Sequence, residues 1–275
     1  MEPVFIDANG VKLAYLEQGK GPLVVLVHGF PDTAHTWDRV MPAVAELGFR
    51  VVAPFTRGYW PSEAKGPYDS DTLGADIVAL IEALGETSAI VVGHDWGASA
   101  AYAAAGSRPD RVRMLVTLAI PHPKSLKPTP LTIWKIRHFF TLGRKGAAAK
   151  IRANGYRYID ELWRRWSPAW KNLPASETAA VKEAFAHDGS LEAACAYYAA
   201  ANPRKMPQGH RPNIKVPTVS FAGEHDIIAP RAYEKARHCY DASYEVIQVP
   251  GGHFMHREHP DVFIPELVRT LRDAR

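Results

Sequence analysis

Short runs of β-branched and apolar residues alternate along most of the chain with stretches whose apolar positions recur at helical spacing. That alternation predicts a mostly parallel sheet with helices on both faces, because parallel strands need a crossover, usually helical, to bring the chain back. Strands are expected at residues 4–6, 12–17, 23–27, 50–53, 89–92, 114–118, 218–222 and 244–249. Helices are expected at 36–46, 72–84, 98–105, 230–239 and 262–273. Asn9-Gly10 separates the first two strands, a pair that tolerates positive φ at both central turn positions and so predicts a hairpin.

Residues 121–215 break the alternation. They offer helical tracts rich in Trp, Tyr, Arg and Ala, bracketed by prolines at 121, 123, 128 and 130 and at 212 and 217. The expected organisation is a core of an eight-stranded sheet flanked by helices, formed from 1–120 and 216–275, with 121–215 inserted as a helical cap. Such a cap would cover the carboxyl edge of the sheet, where open α/β sheets bind ligands. A chain of 275 residues can bury one full core with that insertion.

Composition removes several function classes. The net charge of +4 is mild, and the basic residues lack the aromatic interleaving of a nucleic-acid surface. Ten Lys or Arg against Asp160 and Glu161 between 135 and 171 read as a solvated face of cap helices. Cys195 and Cys239 have neither metal-ligand spacing nor a pairing framework, which fits a reducing compartment and predicts no metal or cofactor. The amino terminus lacks the features of a signal peptide, and no apolar stretch approaches the roughly 20 residues of a membrane span. A cytoplasmic enzyme, monomeric or homodimeric and without nucleic-acid or membrane partners, is expected.

The most informative segment is Gly93-His94-Asp95-Trp96-Gly97, between an apolar strand and a helix of small residues. This strand, sharp turn and helix is the arrangement that presents the nucleophile in the α/β-hydrolase fold, with glycines where a Cβ would not fit. Here the exposed position holds a carboxylate. A carboxylate suits saturated electrophiles, attacking carbon to form an alkyl ester, so strained rings and carbons bearing a leaving group are the expected substrates. His28-Gly29-Phe30-Pro31 follows the third strand and would supply one oxyanion-binding N–H, from Phe30, with the second from Trp96. His28 reads as a buried hydrogen-bonding residue.

The base should come late in the chain, after a strand end. His253 follows an apolar strand and Gly251-Gly252, and is preferred over the nearby His256 and over His259, which precedes Pro260 at an expected helix start. The orienting acid should close the preceding strand, where spacing favours Asp226, with Glu224 as fallback.

Together, His28-Gly29-Phe30-Pro31, Gly93 to Gly97, Gly223 to Asp226 and Gly251-Gly252-His253 resemble the epoxide hydrolases of the α/β-hydrolase fold. The resemblance implies that Asp95 opens an apolar epoxide and that His253, oriented by Asp226, activates water to release a vicinal diol. It also implies a cis Phe30–Pro31 bond and two cap tyrosines that polarise the epoxide oxygen. Tyr198 falls on the second of these, with Tyr197 beside it in a packing role. At the first, after Trp134, Lys135 stands instead, leaving Tyr156, Tyr158 or His138 as substitutes, or Tyr198 as a sufficient donor alone. Haloalkane dehalogenases share the aspartate mechanism, and Trp134, Trp163, Trp166 or Trp170 could supply a halide donor. Fluoroacetate dehalogenases share His-Gly-Phe-Pro but need arginines beside the nucleophile, where Trp96 and Ser99 stand here. A third alternative is a catalytically silent ligand binder on the same scaffold.

Overall fold

The computed structural model describes residues 1–126, 129–202, 205–272 and 274. Eight strands form one sheet: β1 (Val4–Ala8), β2 (Val11–Gly19), β3 (Leu23–Val27), β4 (Arg50–Pro54), β5 (Ala89–His94), β6 (Val112–Leu118), β7 (Thr218–Gly223) and β8 (Tyr244–Val249). Their order is β1-β2-β4-β3-β5-β6-β7-β8. The pairs β1/β2 and β2/β4 are antiparallel and all others parallel. Every residue of β3, β5 and β7 is buried, which is why these strands read as continuous apolar runs rather than alternating ones. From β3 the chain crosses to β4 on one side, then returns to β5 on the other. The loops leaving β3 and β5 therefore open side by side at the switch point.

The hairpin is present, with Asn9 at φ 48° and Gly10 at φ 73° and Ala8 paired with Val11. Helices α1 (Met41–Glu46), α2 (Ser70–Ala83) and α3 (Trp96–Ser107) follow in the first part of the chain. The helix expected at 36–46 is in fact a 3-10 turn, Ala34–Trp37, followed by α1. Pro42 sits in the first turn of α1; it has no N–H to donate, so it can open a helix but not continue one. Asp69 caps α2 by accepting from the Thr72 N–H at 3.1 Å, which moves that helix start two residues ahead of the expected 72.

Between β6 and β7 lie α4 (Pro130–Lys135), α5 (His138–Leu142), α6 (Ala147–Arg152), α7 (Arg157–Trp166), α8 (Ala179–Ala186) and α9 (Ser190–Ala200), with no strand among the described residues. Pro128, one of the bracketing prolines, lies outside those residues. Helix α7 shows why this segment folds down onto the sheet. Ile159, Leu162, Trp163 and Trp166 form its buried stripe, while Arg157, Glu161 and Arg164 face solvent.

The chain ends with α10 (Arg231–Lys235), α11 (Met255–Glu258) and α12 (Pro260–Arg272). The helix expected at 230–239 turns 3-10 from Ala236. The last helix starts at Pro260, and its expected final residue, Asp273, lies outside the described residues. Among the described residues no helix is long and apolar enough to cross a membrane.

Candidate active site

Asp95 stands between β5 and α3 with φ 52° and ψ −118°, a backbone conformation that costs free energy for a residue with a side chain. Its surroundings enforce it. A Cβ at Gly97 would strike the Val27 carbonyl and one at Gly93 the Gly97 carbonyl, so only glycine lets the turn close this tightly. The Asp95 carboxylate is thereby delivered to the β3 loop, where Oδ1 accepts from the Phe30 N–H at 2.9 Å. The Trp96 N–H lies at the first position of α3, where no intrahelical acceptor exists for it. The Phe30–Pro31 peptide is cis, as the resemblance implied. His28 has a structural place: its ring Nδ1 lies 3.0 Å from the Gly29 carbonyl, and Nε2 accepts from the Thr56 N–H at 3.0 Å.

On the other side of Asp95, His253 Nε2 lies 3.3 Å from Oδ2, and its Nδ1 lies 3.1 Å from Asp226 Oδ1. The three side chains come from three sheet-edge loops and are all buried. Burial alone would lower the His253 imidazole, but the charge and hydrogen bond of Asp226, joined by those of Asp95, raise it to about 10. Burial alone would raise the Asp95 carboxyl, yet the His253 hydrogen bond and charge, with the Phe30 N–H, hold it below its ordinary value. The raised imidazole and the lowered Asp95 carboxyl together favour an imidazolium facing a carboxylate at rest. Glu224, the fallback acid, is exposed and 3.4 Å from the Gln248 amide. His256 is bound elsewhere, with Nε2 2.6 Å from Thr36 Oγ1.

Aromatic rings from the insertion close over this centre. Tyr198 on α9 packs edge-on against Phe30 at 5.1 Å, Trp96 at 5.2 Å and Phe139 at 4.8 Å. Burial and the Asp95 charge push its phenol well above its ordinary value, so it remains protonated. Tyr197 does pack elsewhere, donating to the Arg57 carbonyl at 2.6 Å. His138 on α5 is buried with its ring 5.8 Å from that of Tyr198 and 4.8 Å from that of Trp166, and burial lowers its imidazole to about 4. It is neutral.

Two of the candidate substrate contacts have other surroundings. Trp134 is 61% exposed beneath the Arg137 guanidinium and does not line the site. The break between α4 and α5 turns His138 inward while Trp134 stays outside, so one segment cannot present both. Tyr156 has its hydroxyl committed to the Phe185 backbone carbonyl at 3.1 Å. Lys135 is also used, donating to the Ile227 carbonyl at 2.6 Å and so tying α4 to the loop after Asp226.

The sequence reading missed what α7 does. Trp163 donates its indole N–H to the Pro31 carbonyl at 3.0 Å and stacks on Phe254, while the Trp166 carbonyl accepts from the His253 N–H at 2.9 Å. The i, i+3 pair of tryptophans on an amphipathic helix was the available signal.

Comparison with known proteins bears on the fold and the family. A family model described as alpha/beta hydrolase fold matches residues 22–260. The AB hydrolase superfamily protein YfhM of Bacillus subtilis is 32% identical over 98% of this chain and 97% of its own. An epoxide hydrolase of Caballeronia sordidicola is 47% identical, over 42% of this chain and 36% of its own. Among solved structures, the epoxide hydrolase CorEH superposes with a TM-score of 0.86 and 26% identity, covering 100% of this chain and 99% of that one. Epoxide hydrolase A of Mycobacterium thermoresistibile gives 0.83 and 25%, covering 98% of both chains.

Proposed function

Because this chain belongs to the α/β-hydrolase fold family, we propose that it hydrolyses small apolar epoxides to vicinal diols through an alkyl ester on Asp95. The observation that carries this reading is a carboxylate at the strained turn, bonded to the Phe30 N–H and to His253, beneath a buried, protonated Tyr198. The epoxide hydrolases among its relatives and structural neighbours support the substrate class. In domain terms, 1–120 and 216–275 are the core and 121–215 is a cap, supported by the bonds of Trp163 and Trp166 across the site.

The proposed steps balance as follows. A carboxylate oxygen of Asp95 attacks an oxirane carbon, the C–O bond breaks, and its electron pair stays on oxygen, which takes the Tyr198 proton. Esterification removes the Asp95 charge that helped hold the proton on His253, so the imidazolium returns a proton to the phenolate and becomes the neutral base. Water then gives His253 a proton as its oxygen adds to the ester carbon, and the oxyanion is held by the Phe30 and Trp96 N–H groups. Collapse expels the diol alkoxide, which takes the proton of the new carboxyl group. Asp226 holds the imidazole by Nδ1 throughout. His138, neutral beside Tyr198, lines the substrate space.

One observation favours a second reading, haloalkane dehalogenation. The Trp166 indole N–H is buried without a hydrogen-bond partner among the described residues, 5.0 Å ring to ring from His253, where it could receive a halide. Styrene oxide and 1,2-dibromoethane assayed side by side decide between them: diol from the first without bromide from the second is expected. Bromide release with the epoxide untouched would overturn the epoxide reading.

A further inference from the structure

His94, adjacent to the nucleophile in sequence, has no part in the steps above, yet its buried side chain reaches the loop of the base. Its Nε2 lies 2.9 Å from the backbone carbonyl oxygen of His253. A carbonyl only accepts, so Nε2 carries the proton and His94 is the donor. Its Nδ1 is buried with no hydrogen-bond partner among the described residues.

The titratable groups around it are His253 at 5.0 Å, His256 at 4.7 Å, Asp95 and His28. Burial first, then the charge of His253, lower the His94 imidazole to about 3, so it stays a neutral donor when His253 is protonated.

Residue 253 is consequently held from two sides. Its N–H goes to the Trp166 carbonyl in the insertion at 2.9 Å, and its C=O is held by His94, the last residue of the strand that leads into the nucleophile. Without the second bond, the peptide groups of residue 253 would be tied through the Trp166 carbonyl alone, and Asp226 would hold the ring from a backbone no longer pinned to the nucleophile's strand. We propose that His94 is a positioning residue for the hydrolysis half-reaction, fixing the His253 imidazole against the ester carbonyl through the backbone of residue 253. The attack of Asp95 on substrate does not need that register, because alkylation uses the carboxylate and the cap donor. Hydrolysis does need it, since His253 must reach a water aimed at the ester carbon.

The inference rests on the ester mechanism proposed above, and single-turnover kinetics with styrene oxide separate the two. His94→Phe keeps a ring but loses the donor. It should form the Asp95 ester at close to the wild-type rate and hydrolyse it about 10–100-fold more slowly, the scale of a small misplacement of a reacting group. The variant should accumulate substrate mass in intact-protein mass spectrometry, and the apparent pKa of its hydrolysis step should shift from the wild-type value. His94→Gln, whose amide nitrogen can stand near the place of Nε2, should recover most of the rate, while His94→Asn, which is shorter, should not. That pair of variants keeps the test decisive if His94→Phe does not fold. Equal slowing of both half-reactions, or equal behaviour of the Gln and Asn variants, would make His94 a packing residue and overturn the inference. Wild-type enzyme that never forms the ester would instead overturn the mechanism on which it rests.

Discussion

The His253 imidazole is held up by Asp226 and Asp95, so losing the Asp95 charge on esterification should lower it. The hydrolysis rate of the alkyl-enzyme should then fall with decreasing pH around an apparent pKa below that of His253 in free enzyme. Stopped-flow hydrolysis across pH, set against an NMR titration of His253 in free enzyme, measures both. Tyr198→Phe should slow alkylation by epoxides by about 10²–10⁴-fold, the scale of a positioned general acid, and leave any haloalkane reaction nearly unchanged, because a departing halide needs no proton. Rapid-quench measurement of ester formation from each substrate class reads this directly. Asp95, His253 and Asp226 were legible in the sequence because each lies in the short segment leaving the carboxyl end of a sheet strand, where the backbone path dictates position. Trp134 was not. Nothing in its spacing from His138 shows that the helix breaks between them, and that break decides which residue faces inward.

At the scale of elements, loops tie the insertion to the core through buried charge. Glu177, in the 3-10 turn Ala175–Thr178, receives Arg39 at 2.7 Å and the Arg257 Nε at 2.8 Å, both from segments next to the site. Glu177→Gln should reduce stability by about 1–3 kcal/mol, below the full cost of breaking a buried pair because Arg39 is half-exposed. Urea unfolding of both proteins tests it. Asp32 lies in the same region, and burial raises its carboxyl to about 6 despite the Arg257 charge. A carboxyl raised on folding binds more protons in the native than in the unfolded chain, so it stabilises at low pH and that contribution is lost as pH rises from about 4 to about 6. Asp32→Asn should remove this slope, gaining at most about 3 kcal/mol over wild type above pH 6 and nothing at pH 4. Thermal melts at both values check the sign. The sequence could not show this coupling, since Asp32, Glu177 and Arg257 lie in three segments far apart in the chain.

For the molecule as a whole, the sheet and the site were read from the sequence more completely than the insertion above them. Continuous apolar runs mark strands covered on both faces, and β3 and β7 lie within a residue of the positions their composition predicts, while β5 starts where expected and runs two residues further. Helix packing in the insertion depends on which short helix breaks where, and the tie from Lys135 to the Ile227 carbonyl has no local signature. All of this architecture serves one event, the transfer of an Asp95 carboxylate oxygen to the product. Single turnover of excess enzyme with styrene oxide in heavy-oxygen water tests it most directly. The first diol should carry no label, and one heavy oxygen should be found afterwards in the Asp95 carboxylate. A diol labelled in that first turnover, with Asp95 unlabelled, would mean that the carboxylate activates water as a base and forms no ester.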